Sequence, residues 1–230
     1  MDIKNKNVVI TGGTDGLGLS LVKLFLTKSA IVHVISKDPE KLNAMEKEIN
    51  NNSLHVYTAD VSDFNKVVKA CSGIRGVDVL INNAGIWLEG LLDENKYEDI
   101  SKVIDVNLKG PIYVTKALLP KLKSSPEAHI INVSSTSGLK GVAKQSVYVS
   151  SKMGLRGFTE TLKDDFAGSN IKVSGFYPGG MKTRLFEKFG TLRDNQKWMN
   201  TDKIANIILF MVEQDDTMVI RDMVVTKRVK

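Results

Sequence analysis

Cysteine is nearly absent from this chain: Cys71 stands alone among 230 residues. No internal disulfide can staple the fold, so its stability must come from a packed core. Histidine is almost as scarce, and His33, His55 and His129 form no metal-ligand spacing with that cysteine, so no metal site is expected. Long apolar runs are missing too. None approaches the roughly 20 residues needed to cross a bilayer, and no membrane association is expected. Met1 to Asn7 is polar and leads into a short apolar run, without the longer apolar core of a secretory signal. A cytoplasmic protein is the expectation. Nor does one sign of charge dominate any region: 32 basic and 26 acidic residues leave a formal charge of +6, but the two signs are interspersed. That pattern describes a solvated basic surface rather than a nucleic-acid footprint. The one basic cluster, Thr226-Lys227-Arg228-Val229-Lys230, is too short to change this.

What the chain does have is a regular alternation of strand and helix patterns. Val8-Val9-Ile10 is β-branched and meets Thr11-Gly12-Gly13, after which Leu17, Leu21, Leu24 and Phe25 recur at helical spacing. Strands are predicted at Ile31–Ile35, Ser53–Thr58, Val77–Ile81, Ala128–Val133 and Ile171–Phe176, with a seventh near Met218–Val225. Helices are predicted between them: from Asp38-Pro39-Glu40 to Ile49, from about Ser62, at Lys96–Lys123, at Val147–Gly168 and at Thr201–Val212. Such alternation predicts an α/β fold, a doubly wound parallel seven-stranded sheet with helices on both faces. Residues 1–230 are expected to form one Rossmann-type domain. The irregular stretch at about 180–200 is unusually apolar for a loop and reads as a substrate lid.

The chemistry-bearing residues cluster at the ends of the predicted strands. Gly12, Thr14, Asp15, Gly16, Leu17 and Gly18 lie in the turn between the first strand and first helix. There glycines let backbone approach a pyrophosphate, and a helix N-terminus attracts its charge. The spacing is Gly-x-x-x-Gly-x-Gly, which alone also fits a tight turn. Asn82-Asn83-Ala84-Gly85 follows the fourth strand and Asn107 lies in the next helix. Ser134-Ser135 follows the fifth strand, and Tyr148 to Lys152 opens another helix. All fall at the carboxyl edge, where open α/β sheets bind ligands.

These elements, with Asp60-Val61, Ser135 thirteen residues before Tyr148, Tyr-x-x-x-Lys, and Pro178-Gly179 followed by Thr183, resemble the short-chain dehydrogenase/reductase family in its compact single-domain branch. The resemblance covers essentially the whole chain. It implies a nicotinamide cofactor and reversible interconversion of a small carbonyl compound and an alcohol. It also implies Asp60 beside the adenine, a backbone contact from Val61, Asn83-Ala84-Gly85 along the cofactor, and Thr183 on the carboxamide. By the same resemblance Asn107 joins Ser135, Tyr148 and Lys152 as the catalytic set, its carbonyl holding a water that links Lys152 to solvent. A homodimer or homotetramer is implied, although the C-terminus lacks the family's commonest Gly-rich ending.

The residues themselves support part of this. A phenol with a reference pKa of about 10 is a poor base near neutrality, so a catalytic tyrosine needs a nearby cation. Lys152, four residues on, shares a helix face with Tyr148, and the two together with an oxidised nicotinamide are expected to favour phenolate. The Ser135 hydroxyl is placed to hydrogen-bond a substrate oxygen. Pro111 has no amide hydrogen for the carbonyl of Asn107, so the helix should kink there. Ser134 is read as structural. Trp87, Leu88, Val142 and Gln145 are candidates for the substrate pocket. At the end of the second strand, Ser36 stands where many NAD-binding relatives have an acid, and Lys37 offers a cation for a 2′-phosphate. Preference for NADP(H) over NAD(H) is therefore expected, with Asp15 opposing it and Asp38 serving as a helix cap. A non-catalytic nucleotide-binding sensor on the same fold is the competing class. Epimerases and dehydratases of the extended branch rank third, because the roughly fifty residues after Pro178 leave little room for their larger substrate domain.

Overall fold

The computed structural model describes residues 1–185 and 198–228. Seven parallel strands form one sheet: β1 (Asn7–Thr11), β2 (Ile31–Ser36), β3 (Leu54–Thr58), β4 (Val79–Asn82), β5 (Ala128–Val133), β6 (Ile171–Pro178) and β7 (Asp222–Val225). Their order is β3-β2-β1-β4-β5-β6-β7. The central strands are apolar along almost their whole length and buried on both sides, as a parallel sheet covered by helices requires. Alternation of side chains assigns the two faces. Val8 and Ile10 of β1 join one core with α1 (Gly16–Thr27), α2 (Pro39–Ile49) and α7 (Thr201–Val212). Val9 points the other way, into a core with α3 (Phe64–Ser72), α5 (Gly110–Ser124) and α6 (Ser146–Asp165). The expected doubly wound architecture is therefore present.

Strand order reverses beside β1, whose neighbours are β2 and β4. At such a switch point, crossovers diverge to opposite faces and leave a crevice beyond the carboxyl ends. Local sequence fixes the helices around it. Asp38 and Asp63 cap α2 and α3 through the Lys41 and Lys66 amides, and Asn200 caps α7, each satisfying orphan donors of a first turn.

Two elements differ from expectation. The single kinked helix predicted over Lys96–Lys123 is α4 (Tyr97–Ile104), a π-helical turn at Asp105–Lys109, and then α5. The Gly110 amide donates to the Asp105 carbonyl, five residues back. Pro111, in the first turn of α5, cannot supply the regular bond to residue 107, so the distortion is a π-bulge rather than a simple bend. β7 is also shorter than Met218–Val225. Its pairing begins only at Gly175 of β6, and immediately before that register the Ser174 hydroxyl, not a ladder amide, donates to the Ile220 carbonyl at 2.6 Å. Among the described residues no helix is long and apolar enough to cross a membrane.

Candidate active site

A cleft of about 760 Å³ opens over the carboxyl ends of the strands and is lined from Lys37 and Lys41 at one end to Tyr148, Met181 and Trp198 at the other. Its floor is the turn between β1 and α1. Gly12 has φ +67°, and a β-carbon there would lie 2.9 Å from the Ala84 Cα. A β-carbon on Gly18 would run into the Gly12 carbonyl. Both glycines are thus required by close backbone approach. Thr11 and Asn83 tie this turn to the segment after β4: the Asn83 and Ala84 amides each donate to Thr11 Oγ1 at 3.0 Å, and Asn83 Nδ2 donates to the carbonyls of Thr11 and Gly12 at 3.0 and 3.2 Å. Asn83 was expected along the cofactor. It lines the cleft, and its carboxamide nitrogen also shapes the turn. Leu17 lines the cleft but is buried in the core beneath it.

Asp15 caps α1, accepting from the Gly16 amide at 2.7 Å, and pairs with Arg184 at 3.2 Å. Thr183, on the same loop beyond β6, lies against Gly16, so that a β-carbon on that glycine would meet Thr183 Cγ2 at 2.9 Å. The glycine turn and the Pro178-Gly179 exit of β6 are thereby brought together across the cleft. Arg184 was not singled out from sequence.

At the other end, the Ser36 and Thr14 hydroxyls lie 3.3 Å apart, joining the tip of β2 to the glycine turn. Lys37 is exposed on the cleft wall. Lys41, which sequence reading missed, also lines the cleft, with its ammonium 3.4 Å from Asp38; the signal was its place one helical turn after Lys37. Asp60 accepts from the amide and hydroxyl of Ser62 at 3.0 and 2.7 Å, which holds its carboxylate at the cleft edge beside the buried Val61.

Asn107 is fully buried. Its Oδ1 accepts from the Ile86 amide at 2.8 Å, and its Nδ2 donates to the Ile86 carbonyl at 2.9 Å and to Ser151 Oγ at 3.1 Å. The side chain therefore clamps the segment after β4 to α6, a role the sequence did not suggest. A β-carbon on Gly85 would lie 3.4 Å from Asn107 Oδ1 and 3.5 Å from Lys152 Nζ, so these three residues are neighbours at the cleft floor.

Tyr148 and Lys152 project from α6 and are both buried. Ser135 lines the cleft together with Tyr148, and its Oγ accepts from the Ser137 amide at 3.1 Å. Burial pushes the Tyr148 phenol up to about 12, with the nearby Ser135 hydroxyl pulling the other way. Lys152 Nζ lies 5.9 Å from the Tyr148 ring centroid and donates to the Val133 carbonyl at 3.1 Å. Burial holds this lysine down to about 8, because charge is costly where water is excluded. Ser134, read as structural, donates to the Lys152 carbonyl at 3.1 Å, and so anchors the helix that carries the pair. Gly138 permits this, since a β-carbon there would lie 2.5 Å from Ser134 Oγ.

Trp87 packs on Tyr148 with ring centroids 4.5 Å apart, and Leu185 and Trp198 pack around them. Val142 and Gln145 also line this end, whereas Leu88 turns away into a separate cluster with Val103 and Val147. Of the lid expected at about 180–200, residues 186–197 lie outside the described residues.

An elongated dinucleotide suits this cleft on structural grounds. The two close-approach glycines leave a cradle that any β-carbon would fill, the N-terminus of α1 faces it, and cations flank its far end. The sequence profile of short chain dehydrogenases matches residues 6–193. The 3-oxoacyl-[acyl-carrier-protein] reductase of Thermotoga maritima is 32% identical over 95% of each chain. An uncharacterized oxidoreductase of Bacillus subtilis is 35% identical over 80% of this chain and 68% of its own. Among solved structures, a serine dehydrogenase complexed with NADP+ superposes with a TM-score of 0.89 at 24% identity, over 95% and 94% of the two chains. An alcohol dehydrogenase from the archaeon Thermococcus sibiricus, complexed with 5-hydroxy-NADP, gives 0.86 at 21%, over 96% and 95%. Family profile and Rossmann-like sheet agree: this chain belongs to the short chain dehydrogenase family of oxidoreductases.

Proposed function

We propose that this oxidoreductase interconverts a small carbonyl compound and its alcohol, with Tyr148 as the acid/base and NADP(H) preferred over NAD(H). The observation that carries the reading is the grouping of Ser135 with buried Tyr148 and buried Lys152 in one nucleotide-sized cleft. A bound reduced nicotinamide supplies the hydride. In the reductive direction the Tyr148 hydroxyl donates its proton to the carbonyl oxygen, and its high pKa keeps that proton available at neutral pH. The Ser135 hydroxyl holds the same oxygen in place, and the Lys152 ammonium stabilises the phenolate that remains. Asn107 positions this group by clamping Ile86 against α6, and the π-turn that Pro111 enforces leaves its carbonyl for a water between Lys152 and solvent. Gly12, Gly16 and Gly18 cradle the pyrophosphate, Asp60 and Val61 border the adenine, and Ala84, Gly85, Pro178, Gly179 and Thr183 flank the rest of the cofactor. Ser36 leaves space for a 2′-phosphate, which Lys37 and Lys41 attract. The protein acts as a cytoplasmic homodimer or homotetramer.

A panel of aldehydes, ketones and secondary alcohols, followed at the NAD(P)H absorbance with each cofactor, tests the reading. Turnover of at least one carbonyl, faster with NADPH, is expected. Tight cofactor binding with no turnover across the panel would replace this reaction with nucleotide sensing.

A further inference from the structure

The chain has only two tryptophans, and both line the same end of the cleft. Trp87 is buried against Tyr148, ring centroids 4.5 Å apart and planes tilted by 57°. Trp198 closes over Gly180 so tightly that a β-carbon on that glycine would lie 2.9 Å from the indole Cδ2. Leu185 completes the group. Trp87 holds its place because Asn107 fixes the adjacent Ile86 through both amide and carbonyl, so the indole is preorganised rather than loosely attached.

We infer that the substrate is an uncharged aromatic ketone or aldehyde, or the matching alcohol, whose ring stacks among these indoles while its oxygen reaches the hydroxyls of Tyr148 and Ser135. Indole faces favour flat π-systems in offset or edge-to-face contact beyond the gain from buried area alone. Among the described residues that line this cleft, Gln145 and Ser137 are neutral and face each other at 3.3 Å, and Arg184, next to Leu185 in the chain, is paired with Asp15 at 3.2 Å. Lys152 lies behind Tyr148 with its ammonium on the Val133 carbonyl, and Lys227 is exposed at the rim, where solvent screens its pull on a carboxylate. Trp87 is then the residue that sets specificity for rings.

The inference rests on the proposed carbonyl chemistry, and binding separates the two. Acetophenone, methyl cyclohexyl ketone and pyruvate are titrated by calorimetry into protein saturated with oxidised cofactor, so that no reduction occurs. Acetophenone should bind about 2- to 10-fold more tightly than its saturated counterpart, with pyruvate weakest. Trp87→Leu should erase the difference between the first two and Trp87→Phe should keep most of it, cofactor affinity remaining unchanged in both. Equal or tighter binding of methyl cyclohexyl ketone or pyruvate, or no measurable binding of acetophenone, overturns the inference. The same compounds are then offered with reduced cofactor. Turnover of non-aromatic carbonyls alone sinks the aromatic site but leaves the proposed reaction, whereas acetophenone binding without turnover of any carbonyl sinks the reaction and leaves the site.

Discussion

Replacing Lys152 with methionine removes a buried ammonium and keeps most of the side-chain volume, so function and stability should move in opposite directions. In the folded protein burial lowers this group from 10.5 to about 8. Between those values the unfolded chain holds a proton that the folded chain has released, so stability rises with pH through that window. At pH 7 the charged lysine therefore costs the fold about 3 kcal/mol, since each tenfold loss of proton affinity on folding corresponds to about 1.4 kcal/mol. Methionine removes that cost but leaves the Val133 carbonyl, which now accepts from Nζ at 3.1 Å, without its donor; an unsatisfied buried acceptor costs about 1–3 kcal/mol. The net expectation is a variant more stable by about 1 kcal/mol at pH 7, which is about 2–4 °C in Tm for a chain of this size. Thermal melts of wild type and Lys152→Met across pH 7 to 10 measure it. The advantage should shrink by about 1.4 kcal/mol per pH unit above 8, while turnover at pH 7 falls by at least about 100-fold. A variant less stable at pH 7, with a deficit independent of pH, would refute the reasoning.

Lys37→Ala should lose about tenfold in kcat/KM with NADPH and little with NADH, since a charge-assisted hydrogen bond to phosphate contributes roughly 1.5–3 kcal/mol. Asp15→Ser, which keeps a helix cap, should gain with NADPH, but by less than twofold because Arg184 already offsets the carboxylate; a wild type that prefers NADH would overturn the assignment. Pro111→Ala should lower kcat several-fold with cofactor Kd unchanged, by restoring an amide that competes for the Asn107 carbonyl; an unaltered kcat and pH profile would reduce the proline to packing. Acid should destabilise the fold through two buried histidines held neutral, His33 at about 4 and His129 at about 3. Both are lowered chiefly by burial, so the stability present above 6.5 is lost as pH falls, by about 2 kcal/mol for each at pH 5. Urea titrations at pH 7 and 5 check this, and His129→Gln should lose less than wild type.

The sheet was legible because a parallel strand buried on both faces must be nearly continuous in apolar residues, and Val8–Ile10, Ile31–Ile35 and Ala128–Val133 each are. Helix starts were legible where a capping side chain marks them, as Asp38 does before Pro39. The family's motif residues also fell together at one edge of the sheet, as the resemblance implied. Less could be read where tertiary partners decide. Pro111 announced a disruption, but nothing local specified a π-turn instead of a kink. Asn83 and Asn107 were read as cofactor and relay residues, and only the fold shows their carboxamides bridging segments 71 and 21 residues apart. Arg184 gained its place from Asp15, far away in sequence. The position of Lys152, whose Nζ donates to the Val133 carbonyl while lying 5.9 Å from the Tyr148 ring centroid, likewise depends on how α6 packs on β5.

The central claim is that Tyr148 carries the proton, and Tyr148→Phe tests it most directly, because it removes the hydroxyl and keeps the ring that packs on Trp87. Turnover of the best carbonyl substrate should fall by about 100-fold or more, with the Kd of NADPH from fluorescence titration unchanged within about twofold. Near-native turnover by a folded, cofactor-binding Tyr148→Phe variant would contradict the account.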